Sequence, residues 1–389
     1  MTVKKPKSKP TNKSNRPKIP EWTTALLWAK SAGRCNLCNK PAYEDSLTFD
    51  QINLSERAHI IGSSSNGPRG DVQLSEELAV DIENLMLMCK EHARSIDKMT
   101  EKYPVDLLRK IKQEHENKVF ITTSIPNGDR SHLLTYGSKV SNQNNPINFD
   151  DCKRAMFLEG VYPAESTPTS IHLTGSILSD KESSFWDIER RSLKVNLNVI
   201  LQRIEQREIS RLSIFALTAI PLLIELGSLL TDKSNVDVYQ LHREPKGWSW
   251  SKEEDINFRY ITEEPNNTLS PNVALILSFS GSIAKKDIFD SMGCDSAIWE
   301  MTIPEPGNDF MKSLNQLSLF RKEFRKILNR IKEVHGSNTV INLFPAVPVS
   351  VAVEIGRTWM PKADIPIMIW DRNRYDGQLL FKKIFKIGE

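Results

Sequence analysis

The stretch 212-LSIFALTAIPLLIELGSLL-230 recurs as 341-INLFPAVPVSVAVEIGRTW-359, at a constant offset of 129 residues and without gaps. Each copy begins with an apolar run of strand length and continues into a longer apolar segment of helical length. The ungapped match covers Ile214–Arg243 in the first copy and Leu343–Arg372 in the second. Each copy therefore also contains a second strand-like run. The predicted strands are Leu212–Leu217 and Val236–Leu241 in the first copy, and Val340–Phe344 and Pro366–Trp370 in the second.

The segments upstream of both copies extend the repeat. Ile171–Ile177 and Val273–Ile283 end in the same Gly-Ser-Ile, and long amphipathic segments follow them at Phe185–Ile209 and Asp309–His335. Strands that alternate with helices are typical of parallel sheets flanked by helices, so we expect two tandem α/β units. The run 212–230 has nearly the length of a membrane-spanning helix, but the repeat explains it better, and we expect no membrane partner.

In α/β units of this kind, ligands bind beyond the carboxyl ends of the strands, and two adjacent units would form one composite crevice. No Gly-x-Gly-x-x-Gly motif is present, which disfavours a nicotinamide or flavin cofactor. Two tryptophans in Lys246–Trp250 would stack on nucleobases or, alternatively, pack an edge hairpin. Arg357 replaces Ser228 of the first copy, which suits a phosphate contact or simple drift. The candidate ligand-binding residues are Phe344, Pro345, Ser350, Arg357, Trp248 and Trp250.

The charge of this 389-residue chain is unevenly distributed. Residues 1–18 carry seven Lys or Arg and no acid, whereas the rest holds 45 basic and 49 acidic residues, so the overall +3 belongs to the tail. We expect residues 1–20 to be a disordered basic tail, either a solvated leader or a DNA-contacting arm. Its composition is not that of a signal peptide, which predicts a cytoplasmic protein.

The strongest local pattern lies in residues 34–97. Cys35 and Cys38 form a Cys-x-x-Cys knuckle, and Cys89 and His92 form a Cys-x-x-His pair about 50 residues later. Two such pairs satisfy tetrahedral zinc with three thiolates and one imidazole, in a closed and therefore structural site. Since cysteines in a cytosolic protein stay reduced, zinc ligation is a better interpretation than disulfide formation.

Three polar residues are interleaved with the zinc ligands in the order His59, Asn84, His92. With the elements Ala58-His-Ile-Ile61, Asn84-Leu-x-x-x-Cys-x-x-His92 and Ile96-Asp97, the stretch resembles an HNH nuclease of the ββα-metal type with a zinc knuckle. The resemblance implies metal-dependent hydrolysis of DNA. It makes His59 the general base, Asn84 the residue that fixes the loop and orients that base, and a divalent ion, Mg²⁺ for preference, the catalytic metal.

Two positions depart from the nuclease pattern. Many members carry a metal ligand just before the base, where this chain has Ala58. Relatives with the Ala-His-Ile variant often carry a second histidine after the zinc-binding one, where this chain has Ala93. Asp97 or another acid would then supply the ligand, or Ala93 is an inactivating substitution.

The C-terminal half resembles a SAVED domain over about residues 165–389. The motifs that carry the resemblance are 215-FAL-217, 220-IPLLIELG-227, 238-VYQ-240 with 242-HR-243, 248-WSW-250, 343-LFPAVP-348, 354-EIGR-357 and 370-WDR-372. Such domains consist of two fused CARF-like, Rossmann-type halves and sense cyclic oligonucleotides. An HNH nuclease followed by SAVED is the architecture of an effector in cyclic-oligonucleotide-based anti-phage signalling (CBASS).

The sequence therefore predicts an α+β N-terminal HNH domain and an α/β C-terminal SAVED domain. The predicted function is a cyclic-oligonucleotide-activated, non-specific DNA endonuclease of a bacterial defence system, with structural Zn²⁺ and catalytic Mg²⁺. Its partners would be a cyclic di- or trinucleotide, double-stranded DNA and, on ligand binding, further copies of the chain. The expected segments are a basic tail (1–20), the nuclease (21–123), a polar linker (124–150) and the sensor (151–389).

Two alternatives remain open from the residues. In the first alternative, the chain would be a restriction endonuclease whose C-terminal half reads modified DNA. In the second, the N-terminal domain would be a catalytically inactive zinc module that only binds nucleic acid. The second alternative draws its support from Ala58 and Ala93.

Overall fold

The structure is a computed structural model, and the chain divides into two compact units, residues 1–126 and 127–389. Each unit is described by itself. The residues that the structure describes are 17–126, 129–137, 147–173, 180–231, 235–253, 258–293, 295–375 and 378–388. Most of the basic tail, residues 1–16, lies outside these ranges.

A two-stranded antiparallel sheet followed by a helix forms the centre of the N-terminal unit. Strands β1 (Ser55–His59) and β2 (Leu85–Cys89) pair so that His59 lies opposite Leu85, and the helix after β2 packs on both strands. The elements are α1 (Glu21–Lys30), β1 (Ser55–His59), α2 (Leu74–Glu77), a 3₁₀ turn (Ile82–Asn84), β2 (Leu85–Cys89), α3 (Lys90–Lys98) and α4 (Val105–Thr123).

Strand β2 is apolar over its whole length because both of its faces are covered. Met86 and Met88 pack with Ile96 of α3 on one face. Leu85 and Leu87 pack with Leu27 of α1 on the other face. A strand buried on two sides has no polar alternation, and this one places Cys89 at the start of α3.

The C-terminal unit holds two sheets flanked by helices. Its first part contains β3 (Arg130–Gly137), α5 (Phe149–Leu158), β4 (Tyr162–Pro163), β5 (Thr169–His172), α6 (Ser183–Glu205), β6 (Leu212–Leu217), α7 (Ile220–Leu230), β7 (Val236–Val238), β8 (His242–Arg243) and β9 (Lys246–Gly247). Its second part contains β10 (Ile261–Glu263), β11 (Val273–Ser278), α8 (Lys285–Met292), β12 (Ala297–Thr302), α9 (Leu314–His335), β13 (Ile341–Ala346), α10 (Val349–Thr358), β14 (Ile367–Tyr375) and β15 (Gln378–Ile387).

The central strands are parallel in both sheets. In the first sheet, β4 and β5 both pair with β3, and the order continues through β6 to β7. In the second sheet the order is β10-β12-β11-β13-β14-β15, where β12, β11, β13 and β14 are parallel and the two edge strands are antiparallel. The predicted pair of α/β halves with parallel sheets is confirmed.

The sequence misplaced one strand of the first half. Because β3 pairs with β6 as β11 pairs with β13, the counterpart of β11 is β3 and not the segment 171–177. The interpretation of residues 124–150 as a linker is wrong for Arg130–Gly137, which form a strand inside the sheet. The Gly-Ser-Ile of the first copy, residues 175–177, lies outside the described part of the chain.

The two halves meet where α7 and α10 cross, at the repeated glycines. A Cβ atom on Gly227 would lie 2.0 Å from the carbonyl oxygen of Val353, and one on Gly356 would lie 2.0 Å from that of Ile224. Backbone atoms therefore touch directly, and only glycine fits at either position. This contact gives a physical reason for the presence of glycine in both copies.

Candidate functional sites

The four predicted zinc ligands come together. Cys35 and Cys38 lie in the turns after α1, Cys89 ends β2, and His92 lies in the first turn of α3. Their ligand atoms all lie within 4.8 Å of one another, and the Nδ1 atom of His92 is 3.2 Å from the Sγ atom of Cys89 and 3.7 Å from that of Cys35. This cluster could hold a metal ion such as zinc.

The environment prepares one thiol of this cluster for ionisation. Burial opposes the ionised form of Cys35, but hydrogen bonds from the backbone of Cys38, Cys89 and Leu37 and from the His92 ring lower the pKa of its thiol to about 7. Burial raises the pKa of the Cys38 thiol to about 11. Since a thiolate is the form that binds metal, a bound cation would supply the missing stabilisation at Cys38.

His59 ends β1 and lines a cleft of about 620 Å³ together with Lys18, Trp28 and Arg57. Its Nε2 atom lies 2.9 Å from the carbonyl oxygen of Ala79. Because a carbonyl only accepts, Nε2 carries the hydrogen, and Nδ1 of the neutral ring is left to accept a proton.

Asn84 ties together the loop that contacts His59. Its buried side chain accepts a hydrogen bond from the backbone of Ile61 at 2.8 Å, and it donates to the carbonyls of Ile61 at 2.9 Å and Leu78 at 3.1 Å. Leu78 immediately precedes Ala79, whose carbonyl holds the imidazole. The side chain of Asn84 thus links the backbone at Ile61 to the segment that precedes Ala79.

The resemblance implies a catalytic magnesium ion, but the described residues do not fit it. Ala58 and Ala93 are buried in one apolar cluster with Ile96, where neither side chain offers an oxygen or nitrogen. The carboxylate of Asp97 lies 2.9 Å from the guanidinium of Arg69 instead. Apart from the cysteine–histidine cluster, the described part of the chain holds no group of three metal-binding side chains. We therefore assign no step to a second metal.

A crevice of about 540 Å³ opens at the carboxyl ends of the strands in the C-terminal unit. Residues of both halves line it, as expected for a composite site. The first half contributes Leu217, Gln240, Leu241, His242, Arg243 and Lys246, and the second half contributes Ser280, Asn308, Val347, Pro348 and Val349. Two cations and the N-terminus of α10 thus face one opening, which suits an anionic ligand.

The aromatic candidates among the predicted ligand contacts belong to the core. Phe344 is fully buried and stacks on Trp370, with ring centroids 4.9 Å apart. Trp248 packs its edge on Phe215 at 5.3 Å, and Trp250 packs on His242 at 5.6 Å. Both tryptophans follow the short β8–β9 hairpin in the chain, and both are buried. This agrees with the alternative that they pack an edge hairpin.

The polar candidates also have partners inside the protein. Ser350 is fully buried, and its Oγ atom donates to Gln240 at 2.8 Å. The guanidinium of Arg357 lies 2.7 Å from the buried carboxylate of Glu354. Pro345 lies in β13, in register with Leu277 of β11. Among the described residues that line the crevice, none of the six predicted contacts is present.

Several residues of these sites were not singled out from the sequence. In the crevice they include Arg243 and Lys246, and beside His59 they include Arg69. Arg243 did carry a signal, since it is identical to Arg372 in the repeat. The sequence around Arg69 indicated only a turn, because Pro68 and Gly70 flank it, and it did not predict the hydrogen-bond partners of Arg69.

A family model now adds an independent finding. Residues 195–387 match SAVED, described as the SMODS-associated and fused to various effectors sensor domain. The C-terminal unit thus carries a SAVED sensor domain, and the match begins inside α6 and covers the crevice. No curated protein sequence matches the chain.

Solved structures with some likeness include the Cap4 SAVED/CARF-domain containing receptor of Acinetobacter baumannii. Its complexes with the cyclic trinucleotides 3′3′3′-cAAA and 2′3′3′-cAAA are each 14% identical to this chain, with a TM-score of 0.44. They cover 82% of this chain, which in turn covers 68% and 71% of theirs. A TM-score of this size does not establish a shared fold.

Among the described residues, no helix combines the length and the apolar character that spanning a membrane requires.

Proposed function

We propose that this chain is a bacterial effector in which binding of a cyclic oligonucleotide to the SAVED domain activates DNA cleavage by the N-terminal unit. The observation that carries the proposal is the joining of a SAVED sensor domain to a ββα unit in which a cleft-lining histidine ends β1. A sensor fused to a DNA-cutting unit keeps a harmful activity silent until a signal arrives.

The crevice is the proposed site for the cyclic oligonucleotide. Arg243 and Lys246 would contact its phosphates, and the N-terminus of α10 would add the positive end of a helix dipole. The hairpin that carries these cations is fixed by Asp309, which accepts hydrogen bonds from the backbone of Arg243 and Glu244 at 3.1 and 3.2 Å. The hairpin that carries both cations is therefore held in place before a ligand binds.

Substitution of either crevice cation should weaken the ligand. We expect Arg243→Ala and Lys246→Ala each to reduce affinity by about tenfold, the value of one charge-assisted contact. A thermal-shift screen with cyclic di- and trinucleotides, followed by calorimetry on the best ligand, measures this effect. Lys326→Ala serves as the control, since Lys326 is an exposed cation of α9 that contacts Glu323. Parent affinity in both crevice variants would place the ligand elsewhere.

In the proposed reaction, the chain's own groups orient and deprotonate a water molecule. The phosphate backbone of duplex DNA would lie in the His59 cleft against Lys18 and Arg57. Nδ1 of His59 would take the proton as the water attacks phosphorus, while Ala79 holds Nε2. The new bond from the water oxygen to phosphorus forms as the bond from phosphorus to the leaving oxygen breaks, and the leaving oxygen takes a proton from solvent water.

Assembly would add to the grip on DNA. Residues 21–125 carry 13 basic and 16 acidic side chains, so one such unit attracts DNA weakly by charge alone. We propose that the ligand favours a homo-oligomer, which it can do only by binding the assembled state more tightly than the free one. Several clefts and several basic tails then face the same duplex.

Cleavage should depend on both the ligand and His59. We expect a supercoiled plasmid to be degraded only with the cyclic oligonucleotide, and His59→Ala to lower the rate at least about 100-fold, within the range of general-base catalysis. Ligand affinity should not change, and His172→Ala, an exposed histidine of β5, should cut like the parent. Equal cutting with and without ligand would refute the gating, and parent-like cutting by His59→Ala would refute the base.

The burial of Ala58 and Ala93 favours one second candidate, a unit that binds DNA without cutting it. An Ala93→His variant tests this candidate, because it restores an imidazole at the helix position where relatives carry one. If neither the parent nor Ala93→His cuts DNA in the presence of ligand and Mg²⁺, and both retain duplex binding, the second candidate replaces cleavage. Cutting that depends on DNA methylation and ignores the ligand would instead identify a restriction enzyme.

A further inference from the structure

Arg69 lies beneath the end of β1, and its guanidinium connects two parts of the N-terminal unit. Its Nε atom donates to the carbonyl of Ile60 at 2.7 Å, and Nη2 donates to the carbonyl of His59 at 3.2 Å. Its Nη1 atom reaches the carbonyl of Ile96 at 2.6 Å, and Nη2 also contacts Asp97 at 2.9 Å. One side chain thus joins the strand that carries the imidazole to the end of α3.

The loop that presents Arg69 has little freedom to adjust. A Cβ on Gly70 would lie 2.4 Å from the carbonyl oxygen of Ser64, and one on Gly62 would lie 2.5 Å from that of Pro68. Arg69 itself adopts a φ of 56°, a value that is unusual for a residue other than glycine. Such a compact loop fixes the origin of the guanidinium, so the four hydrogen bonds define where β1 ends.

We propose that Arg69 is a positioning residue that sets the place of the His59 imidazole for proton abstraction. This inference deepens the proposed function and rests on it. Arg69 holds the main chain of His59 from below, while Ala79 holds its ring, and Asn84 secures the loop that carries Ala79. With both the main chain and the ring anchored, Nδ1 has a defined direction in the cleft.

The planar fork of arginine is essential to this arrangement. A guanidinium presents five donors in fixed directions, whereas a lysine ammonium cannot reach three carbonyls and a carboxylate at once. The side chain of Arg69 is only 5% exposed, so its hydrogen bonds cannot simply be replaced by bonds to bulk water. Loss of the fork should let the imidazole shift, and a displacement of about 1 Å can reduce a catalysed rate by about 100-fold.

The experiment compares Arg69→Lys, Arg69→Met and Asp97→Asn in the full-length chain. We expect kcat for plasmid cleavage to fall about 10- to 100-fold in Arg69→Met and less in Arg69→Lys, with KM for DNA and ligand affinity unchanged. Asp97→Asn should lose only a fewfold, since the three carbonyl contacts remain. The NMR resonances of isotope-labelled His59 should shift in both Arg69 variants, while zinc content stays at the parent level.

Lys112→Met is the matched control, because Lys112 is a buried cation of the same unit that pairs mainly with Glu116 on α4. It should lower the melting temperature without moving the His59 resonances or kcat. The inference is overturned if a folded Arg69→Met keeps parent kcat and parent His59 resonances, or if it matches Lys112→Met in every readout. If the parent itself never cuts DNA, the proposed function fails, and the His59 resonances still decide whether Arg69 positions the ring.

Discussion

Replacing Cys89 by serine is expected to release the metal ion and to unfold the N-terminal unit while the C-terminal unit remains folded. Cys89 joins β2 to α3, and the apolar cluster beneath it contains few fully buried residues, including Cys35, Met86 and Ile96. A structural zinc ion contributes about 10–16 kcal/mol to the folding of small zinc domains. That value is comparable to the whole free energy of unfolding of a typical domain, about 5–15 kcal/mol, so its loss should abolish the folded state.

The measurements are zinc content by atomic absorption and unfolding by calorimetry. We expect one zinc ion per parent chain, none in Cys89→Ser, and a transition of the C-terminal unit that survives. Cys152→Ala is the control, because Cys152 is a buried free thiol of α5 outside the metal cluster. A Cys89→Ser chain that retains a full complement of zinc would show that the cluster is not the binding site.

Replacing Gly356 by alanine should have the largest effect on the C-terminal unit. The added Cβ would lie 2.0 Å from the carbonyl oxygen of Ile224 and 2.5 Å from the amide nitrogen of Ser228. Both are backbone atoms of α7, so the clash is relieved only by separating the helices that join the two halves. We expect a loss of at least about 3 kcal/mol in the free energy of unfolding.

For a unit of this size, that loss should lower the melting temperature by roughly 6–12 °C. Thermal unfolding followed by circular dichroism measures it. Gly281→Ala is the control, since a Cβ there meets no atom within 4 Å and the backbone needs no positive φ. The same melting temperature for Gly356→Ala and Gly281→Ala would mean that the crossing of α7 and α10 is looser than described. Gly227→Ala should behave like Gly356→Ala, because the contact is reciprocal.

Local spacing was sufficient to predict the metal cluster. Cys35 and Cys38 are close in the chain, as are Cys89 and His92, so each pair converges through short turns whatever the rest of the chain does. The repeat was equally visible, because it records strand and helix periods in residues that follow one another. Strand β3 escaped notice, since its short mixed sequence becomes a strand only by pairing with β5 and β6.

The buried glutamates of the repeat show the limit of local patterns. Glu225 and Glu354 occupy equivalent positions in the two copies of the repeat. Each forms an ion pair with an arginine of the preceding long helix: Arg190 lies 3.2 Å from Glu225, and Arg321 lies 3.4 Å from Glu354. Arg357 stands beside Glu354 and completes this arrangement. A charged residue that suggested a phosphate contact in the sequence thus serves an internal ion pair.

The sequence by itself predicted the repeated strands and helices of the C-terminal half and the grouping of Cys35, Cys38, Cys89 and His92. Only the tertiary structure decided which side chains face a ligand. It buried Phe344 and Trp248, and it brought Arg243 and Lys246 to the crevice. The physical reason is that periodicity and spacing reflect neighbours along the chain, whereas burial and hydrogen bonding depend on partners distant in sequence. Arg69, held by residues up to 28 positions away, shows the same dependence.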